Sequence, residues 1–180
     1  ELGKSTEYGG EGSIKSLEAA IADLKKGLID VLVTSPINKQ NVQSAKFNFP
    51  GHTEYLAKEF NTKEVLMLMV SHEMRVGVVT GHMPLSEVPK SITVDAIMTK
   101  LRVLNSTLIK EFGIRKPRIA VLGLNPHAGD SGVLGKEEQD VIIPAIKKAN
   151  DENIMALGPY AADGFFGSDN FMKFDAILAM

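Results

Sequence analysis

Apolar residues in this chain fall into two kinds of run, and the two alternate. Ile14, Leu17, Ile21 and Leu24 recur at spacings of three and four, which predicts one buried helix face that Ser13 can cap and Gly27 ends. The polar stretch ahead of it, with Gly3, Gly9, Gly10 and Gly12, reads as loop. Residues 29–34 are largely β-branched and suit a strand buried on both faces. Ser35-Pro36 breaks that run, and a short helix is expected from Ile37 toward Ala45. Residues 53–60 read as a helix, and residues 64–70 and 75–80 as strands. The clearest helix covers 93–112, where Ile97, Leu101, Leu104, Leu108 and Phe112 form a stripe that Gly113 stops. A strand over 118–124 follows, then a glycine-rich loop over 125–135. A helix over 137–150 follows that, which Pro144 should kink. Short strands near Met155 and Ile177 complete the pattern.

Helices that alternate with short, continuously apolar strands predict an α/β fold whose mostly parallel sheet is flanked by helices. No linker or repeat divides residues 1–180, so a single α/β domain is expected. With 44% hydrophobic residues, the chain can bury a real core. A net charge of -2 gives no basic field for nucleic acid or for an anionic membrane. Charged pairs such as Lys25-Lys26 and Glu137-Glu138 read as solvated helix faces. No run is long enough to span a bilayer. The absence of cysteine excludes disulfides and thiolate chemistry and fits a cytoplasmic protein. Glu1 is not an initiator, and residues 175–180 read as a buried strand that ends abruptly, so a piece of a longer chain is expected.

In open α/β sheets, ligands gather beyond the carboxyl ends of the strands. His82 (Thr80-Gly81-His82-Met83-Pro84) and His127 (Asn125-Pro126-His127-Ala128-Gly129) each follow a predicted strand, so both could face one metal ion. Each could also be a loop histidine bonding a carbonyl, and two ligands are few for a tight site. His52-Thr53 opens a helix; Thr53 can cap it, and the amides of its first turn could equally hold an anion. His72 lies in a polar connection and reads as surface. Asp163, in Ala161-Ala162-Asp163-Gly164, serves either a turn or a substrate. No Walker sequence and no Gly-x-Gly-x-x-Gly fingerprint is present.

Taken together, Thr34-Ser35-Pro36-Ile37-Asn38-Lys39, Pro50-Gly51-His52-Thr53-Glu54, Thr80-Gly81-His82-Met83-Pro84-Leu85, Gly123-Leu124-Asn125-Pro126-His127-Ala128-Gly129 and Gly158-Pro159-Tyr160-Ala161-Ala162-Asp163 resemble the 4-hydroxythreonine-4-phosphate dehydrogenases, in order and at about their spacing. The resemblance implies the isocitrate and isopropylmalate dehydrogenase type of fold, of which this chain would supply chiefly one of two domains. It implies that His82 and His127 are two of three metal ligands, the third lying beyond Met180, and that His52 and Thr53 contact the phosphorylated substrate. Lys39 and Asp163 fall in motifs that face the same cleft and are expected as catalytic residues. The implied activity is metal-dependent oxidation of a small phosphorylated amino acid by NAD or NADP, with zinc, magnesium or cobalt, in a cytoplasmic homodimer of vitamin B6 synthesis. Related enzymes acting on another phosphorylated four-carbon acid, such as a phosphothreonate, share the histidines. The isolated chain could also be only an inactive folding and dimerisation module.

Overall fold

The computed structural model describes residue 4 and residues 6–43, 47–49 and 51–180. The chain divides into two compact units, Glu1–Lys63 and Glu64–Met180.

The first unit is built on helix α1 (Glu7–Lys25), which starts earlier than the polar sequence suggests. Its cap is Thr6, whose hydroxyl accepts from the Gly9 amide at 3.2 Å, while Ser13 lies inside the helix and donates to the Gly9 carbonyl. Glycines in a helix interior each cost about 1 kcal/mol against alanine, which is why the segment reads as loop. Tertiary packing overrides that cost at Gly10, where any Cβ would collide with the backbone carbonyl of Asn41. Asn41 in turn donates its side-chain amide to the Thr6 carbonyl at 2.9 Å, tying the helix start to a distant turn. Leu17 and Ile21 pack with Val42, Phe47 and Tyr55 to form a small core.

Residues 29–34 form no strand among the described residues. Leu32 packs on the small core, whereas Val31 and Val33 on either side of it in sequence are 73% and 89% exposed. Burial on both faces, expected from the sequence, is therefore not found. The helix expected from Ile37 reduces to a turn at residues 39–42, because the Asn38 side chain accepts from the Gln40 and Asn41 amides and competes with helical bonding. Residues 44 and 45 of that expectation lie outside the described residues. Helix α2 (His52–Glu59) closes the unit.

The second unit is a five-stranded sheet of β1 (Leu68–Val70), β2 (Arg75–Val78), β3 (Arg118–Leu122), β4 (Met155–Tyr160) and β5 (Ala176–Ala179), in the order β1-β2-β5-β3-β4. Only the β1–β2 pair is antiparallel. The short α3 (Val88–Ser91) leads into α4 (Val94–Lys110), capped by the Thr93 hydroxyl. Its stripe, Ile97, Leu101, Leu104 and Leu108, is fully buried as the periodicity requires. With α5 (Ile143–Asp151) it covers the face carrying Ile119, Val121 and Leu178. Helix α6 (Ala162–Gly167), absent from the sequence reading, covers the other face by packing Phe165 on Ala120, Leu122 and Ile177. Covered on both sides, β3 from Ile119 onward and β5 along its length are apolar. Pro144 does disturb its helix: residues Glu138–Ile142 form a π-helical turn before α5 begins.

The two glycines of α1 should respond oppositely to alanine. Gly12 has open space around its Cβ position, so Gly12→Ala is expected to raise stability by up to about 1 kcal/mol. Gly10→Ala is expected to lower it, because Asn41 must move. Urea unfolding of both variants measures the signs; a shared sign would remove this account of why the helix carries glycine.

Candidate functional site

Strands β2, β5 and β3 run parallel, so their carboxyl ends lie along one edge of the sheet. Neighbouring strands are about 4.8 Å apart, which sets the ends of β2 and β3 roughly 10 Å from each other. His82 follows β2 and His127 follows β3, both exposed and both in left-handed backbone conformation, at φ 54° and 52°. β4 lies beside β3 in the same direction, so the loop after β4 emerges next to the His127 loop.

The loop after β3 has an unusual backbone. His127, Ala128, Gly129, Asp130 and Ser131 are all left-handed, with φ between 42° and 80°. Each non-glycine residue there costs on the order of 1–2 kcal/mol, so the surroundings must hold the loop. The amides of Ala128, Val133 and Leu134 donate to the carbonyls of Asn125, Asp130 and Gly129. The larger constraint is Glu138, 2% exposed and the one buried polar or charged side chain among the described residues. Its Oε1 accepts from the amides of Leu124 at 2.8 Å and Asn125 at 2.7 Å, and its Oε2 accepts from Asn125 Nδ2 at 2.9 Å. A buried carboxylate is tolerated when donors satisfy it in this way. Asn125 Nδ2 also donates to Glu137 Oε2 at 2.7 Å, and that bond holds the Glu137 carboxyl below its ordinary pKa. Reading Glu137-Glu138 as a solvated helix face is thus corrected for Glu138. The helix side it occupies faces the loop, not water.

His127 Nδ1 lies 2.9 Å from Asp163 Oδ2, in the first turn of α6. An ionised carboxylate only accepts, so the neutral ring carries its proton on Nδ1 and leaves the Nε2 lone pair free. A cavity of about 340 Å³ opens here, lined by Asn125, His127, Ala162 and Asp163 among others.

The first unit carries the remaining sequence candidates. His52 begins α2, and the cap is Gly51, with no side-chain cap bond; Thr53 is one position inside the helix and not its cap. His52 borders a cavity of about 280 Å³ with Ser13, Leu32 and Ser35. Lys39 is exposed in the turn at residues 39–42. His72, in the β1–β2 turn, is exposed as expected. Among the described residues, no group of three His, Cys, Asp or Glu side chains is arranged to hold a metal ion. No helix among them is long and apolar enough to cross a membrane.

The family model for the pyridoxal phosphate biosynthetic protein PdxA matches residues 1–180. The chain belongs to the PdxA family. It is 49% identical to the 4-hydroxythreonine-4-phosphate dehydrogenase of Bacteroides thetaiotaomicron, over 100% of this chain and 50% of that one. It is 39% identical to the enzyme of the same name from a Sulfurihydrogenibium strain, over 100% and 55%. The crystal structure of the Klebsiella pneumoniae 4-hydroxythreonine-4-phosphate dehydrogenase superimposes with a TM-score of 0.89 at 29% identity, over 98% of this chain and 54% of that one. The chain thus spans about half the length of the curated relatives it matches.

In this PdxA chain the sequence pointed to His127 and Asp163 separately, and the structure joins them. It missed Glu138; the one available signal was a carboxylate between the glycine-rich loop and Val141-Ile142, at the end of a long strand-to-helix connection. Because the Glu137 pKa is lowered in the folded chain, its contribution to stability is complete above the ordinary glutamate pKa. It is lost as pH falls through the lowered value. In Asn125→Ala the Glu137 carboxyl midpoint, followed by carbon NMR, is expected to rise and this acid-side loss to shrink. An unchanged midpoint would mean that Asn125 is not its cause.

Proposed function

We propose that the protein is a metal-dependent, NAD- or NADP-linked 4-hydroxythreonine-4-phosphate dehydrogenase of pyridoxal phosphate synthesis. The observation that carries this reading is His127, standing at the carboxyl edge of the sheet with Nδ1 2.9 Å from Asp163 Oδ2, in a chain matched along its length by the PdxA family. The names of the relatives in Bacteroides thetaiotaomicron and Sulfurihydrogenibium support the substrate. NAD or NADP, when bound, would supply the acceptor for the hydride of the alcohol carbon of 4-phosphohydroxy-L-threonine, whose hydroxyl proton would pass to solvent. The product, 2-amino-3-oxo-4-phosphobutanoate, is a β-keto acid that loses carbon dioxide to give 3-amino-2-oxopropyl phosphate.

The chain's own residues divide this work. His82 and His127 would hold a divalent ion as neutral imidazoles, with Asp163 fixing the His127 tautomer. When bound, zinc, magnesium or cobalt supplies positive charge that lowers the pKa of the substrate alcohol. His52 and Thr53 offer a ring N–H, a hydroxyl and the uncapped amides of the first turn of α2 to the substrate phosphate. Lys39 adds a cation for the same anionic substrate. Asp163 serves as a partner of His127 more directly than as an acid or base. The family resemblance extends the reading to a cytoplasmic homodimer.

In the protein at the full length of its relatives, His82→Ala and His127→Ala are each expected to lower Co²⁺ affinity by about tenfold or more. Each should also abolish cation-dependent NADH production from 4-phosphohydroxy-L-threonine. NADH production undiminished after removal of either histidine would refute its assignment as a ligand. Thr53→Ala is expected to weaken substrate binding by about 1 kcal/mol or more while leaving cation affinity unchanged. Calorimetric titration with substrate tests this, and unchanged substrate affinity counts against the phosphate contact.

A further inference from the structure

We propose that Glu138 is a positioning residue. Its buried carboxylate clamps the exit of β3 and so fixes the left-handed loop that presents His127 to Asp163. The step from loop geometry to metal affinity rests on the dehydrogenase reading of His127; the clamp itself does not. Both carboxylate oxygens of Glu138 are occupied by loop donors, and the side chain is 2% exposed, so it touches neither substrate nor cation. What it touches is the chain on either side of His127. It takes the Leu124 and Asn125 amides just ahead of the turn, and Gly129 packs against it just after. A Cβ at Gly129 would stand 2.6 Å from Glu138 Oε2, and one at Gly123 would stand 3.0 Å from Oε1. The Ala128 amide bonds back to the Asn125 carbonyl at 3.1 Å, so His127 is carried between Asn125, which the carboxylate bonds, and Gly129, which packs against it.

The hydrogen-bond polarity makes the proposal testable with near-isosteric changes. In Glu138→Gln the new carbonyl can still accept both amides, but its NH₂ group then meets Asn125 Nδ2, donor against donor. Turning the Asn125 carboxamide relieves that contact only by aiming its oxygen at the Glu137 carboxylate. Adding Asn125→Asp and Glu137→Gln reverses every polarity at once: the carboxylate now at position 125 accepts from both carboxamides, and the two backbone amides keep their acceptor.

The experiment uses the full-length protein. In metal-free protein, nitrogen NMR of the His127 ring reads the Nδ1 proton held by Asp163. Glu138→Gln is expected to speed exchange of that proton by about tenfold or more, and the triple variant to restore it. Titration with Co²⁺ alone is expected to show affinity reduced about tenfold or more in Glu138→Gln and regained in the triple variant, the usual scale for a residue that orients a ligand. In a His127→Ala background, Glu138→Gln should change Co²⁺ affinity no further. A His127 ring signal unaltered by Glu138→Gln overturns the proposal. So does a folded triple variant that fails to restore the signal, which keeps the test decisive even if the single variant does not fold. Should the ring signal change as expected while Co²⁺ binding ignores His127→Ala, the clamp stands and the ligand assignment of His127 fails instead.

Discussion

Strand β5 is hydrogen-bonded on both sides, and the geometry of the second unit's site follows from that. Ile177 is in register with Val76 of β2 and with Ala120 of β3, so one short apolar strand holds two others parallel and level. Level parallel strands end at one edge, and the residues after them share a side of the sheet. Helix coverage of both faces makes the arrangement rigid, since Ile119 and Val121 pack toward α4 while Ala120 and Leu122 pack toward Phe165. Polar side chains needed for chemistry are excluded from these faces and occur in the connections. The loop after β3 meets the loop after β4 for the same reason, and His127 thereby reaches Asp163.

The loop that carries His127 stores backbone strain, and the source of its stability is not a conventional ion pair. Arg102 and Glu152 form a bidentate pair at 2.6 and 2.8 Å, each shifting the other's pKa toward the charged form. That pair stands in solvent, where screening and side-chain entropy leave it little net effect. Among the described residues Glu138 has no cationic partner, but it is nearly inaccessible to water and accepts three N–H bonds. Removing it would leave two part-buried backbone donors without their acceptor. The buried carboxylate therefore offsets the left-handed conformation of the loop far better than any exposed charge on the unit.

What the sequence disclosed was whatever depended on local pattern. The α4 stripe, the apolar run of β3 and the terminal strand β5 were legible because burial imposes a period or a continuous run. His82 and His127 were legible as residues after strands. Features that need a distant partner were not. Gly10 makes sense only once Asn41 is seen against it, so the start of α1 read as loop. Val31 and Val33 have strand-forming side chains, but no ladder forms around them in the described residues. Helix α6 is six residues long with a glycine inside, too short for a periodic signal. Glu138 looked like a surface charge because a sequence lists its carboxylate and not the three donors that surround it.

Both histidine loops leave the sheet through a hydrogen-bonded clamp, and the two clamps differ in the number of donors they gather. After β2, the Thr80 amide and hydroxyl both donate to the Met180 carbonyl, at 3.1 and 2.8 Å, which ties the loop to the end of β5. After β3, the Leu124 and Asn125 amides donate to Glu138, which ties the loop to the helical segment beyond it. The first clamp gathers two donors on one oxygen, and the second gathers three donors on a side chain shielded from water. That difference matches the demand on each loop. His82 is a single residue of positive φ in its loop, whereas His127 opens a run of six, from His127 to Gly132. The clamp with more donors is built where the backbone departs furthest from its preferred conformation.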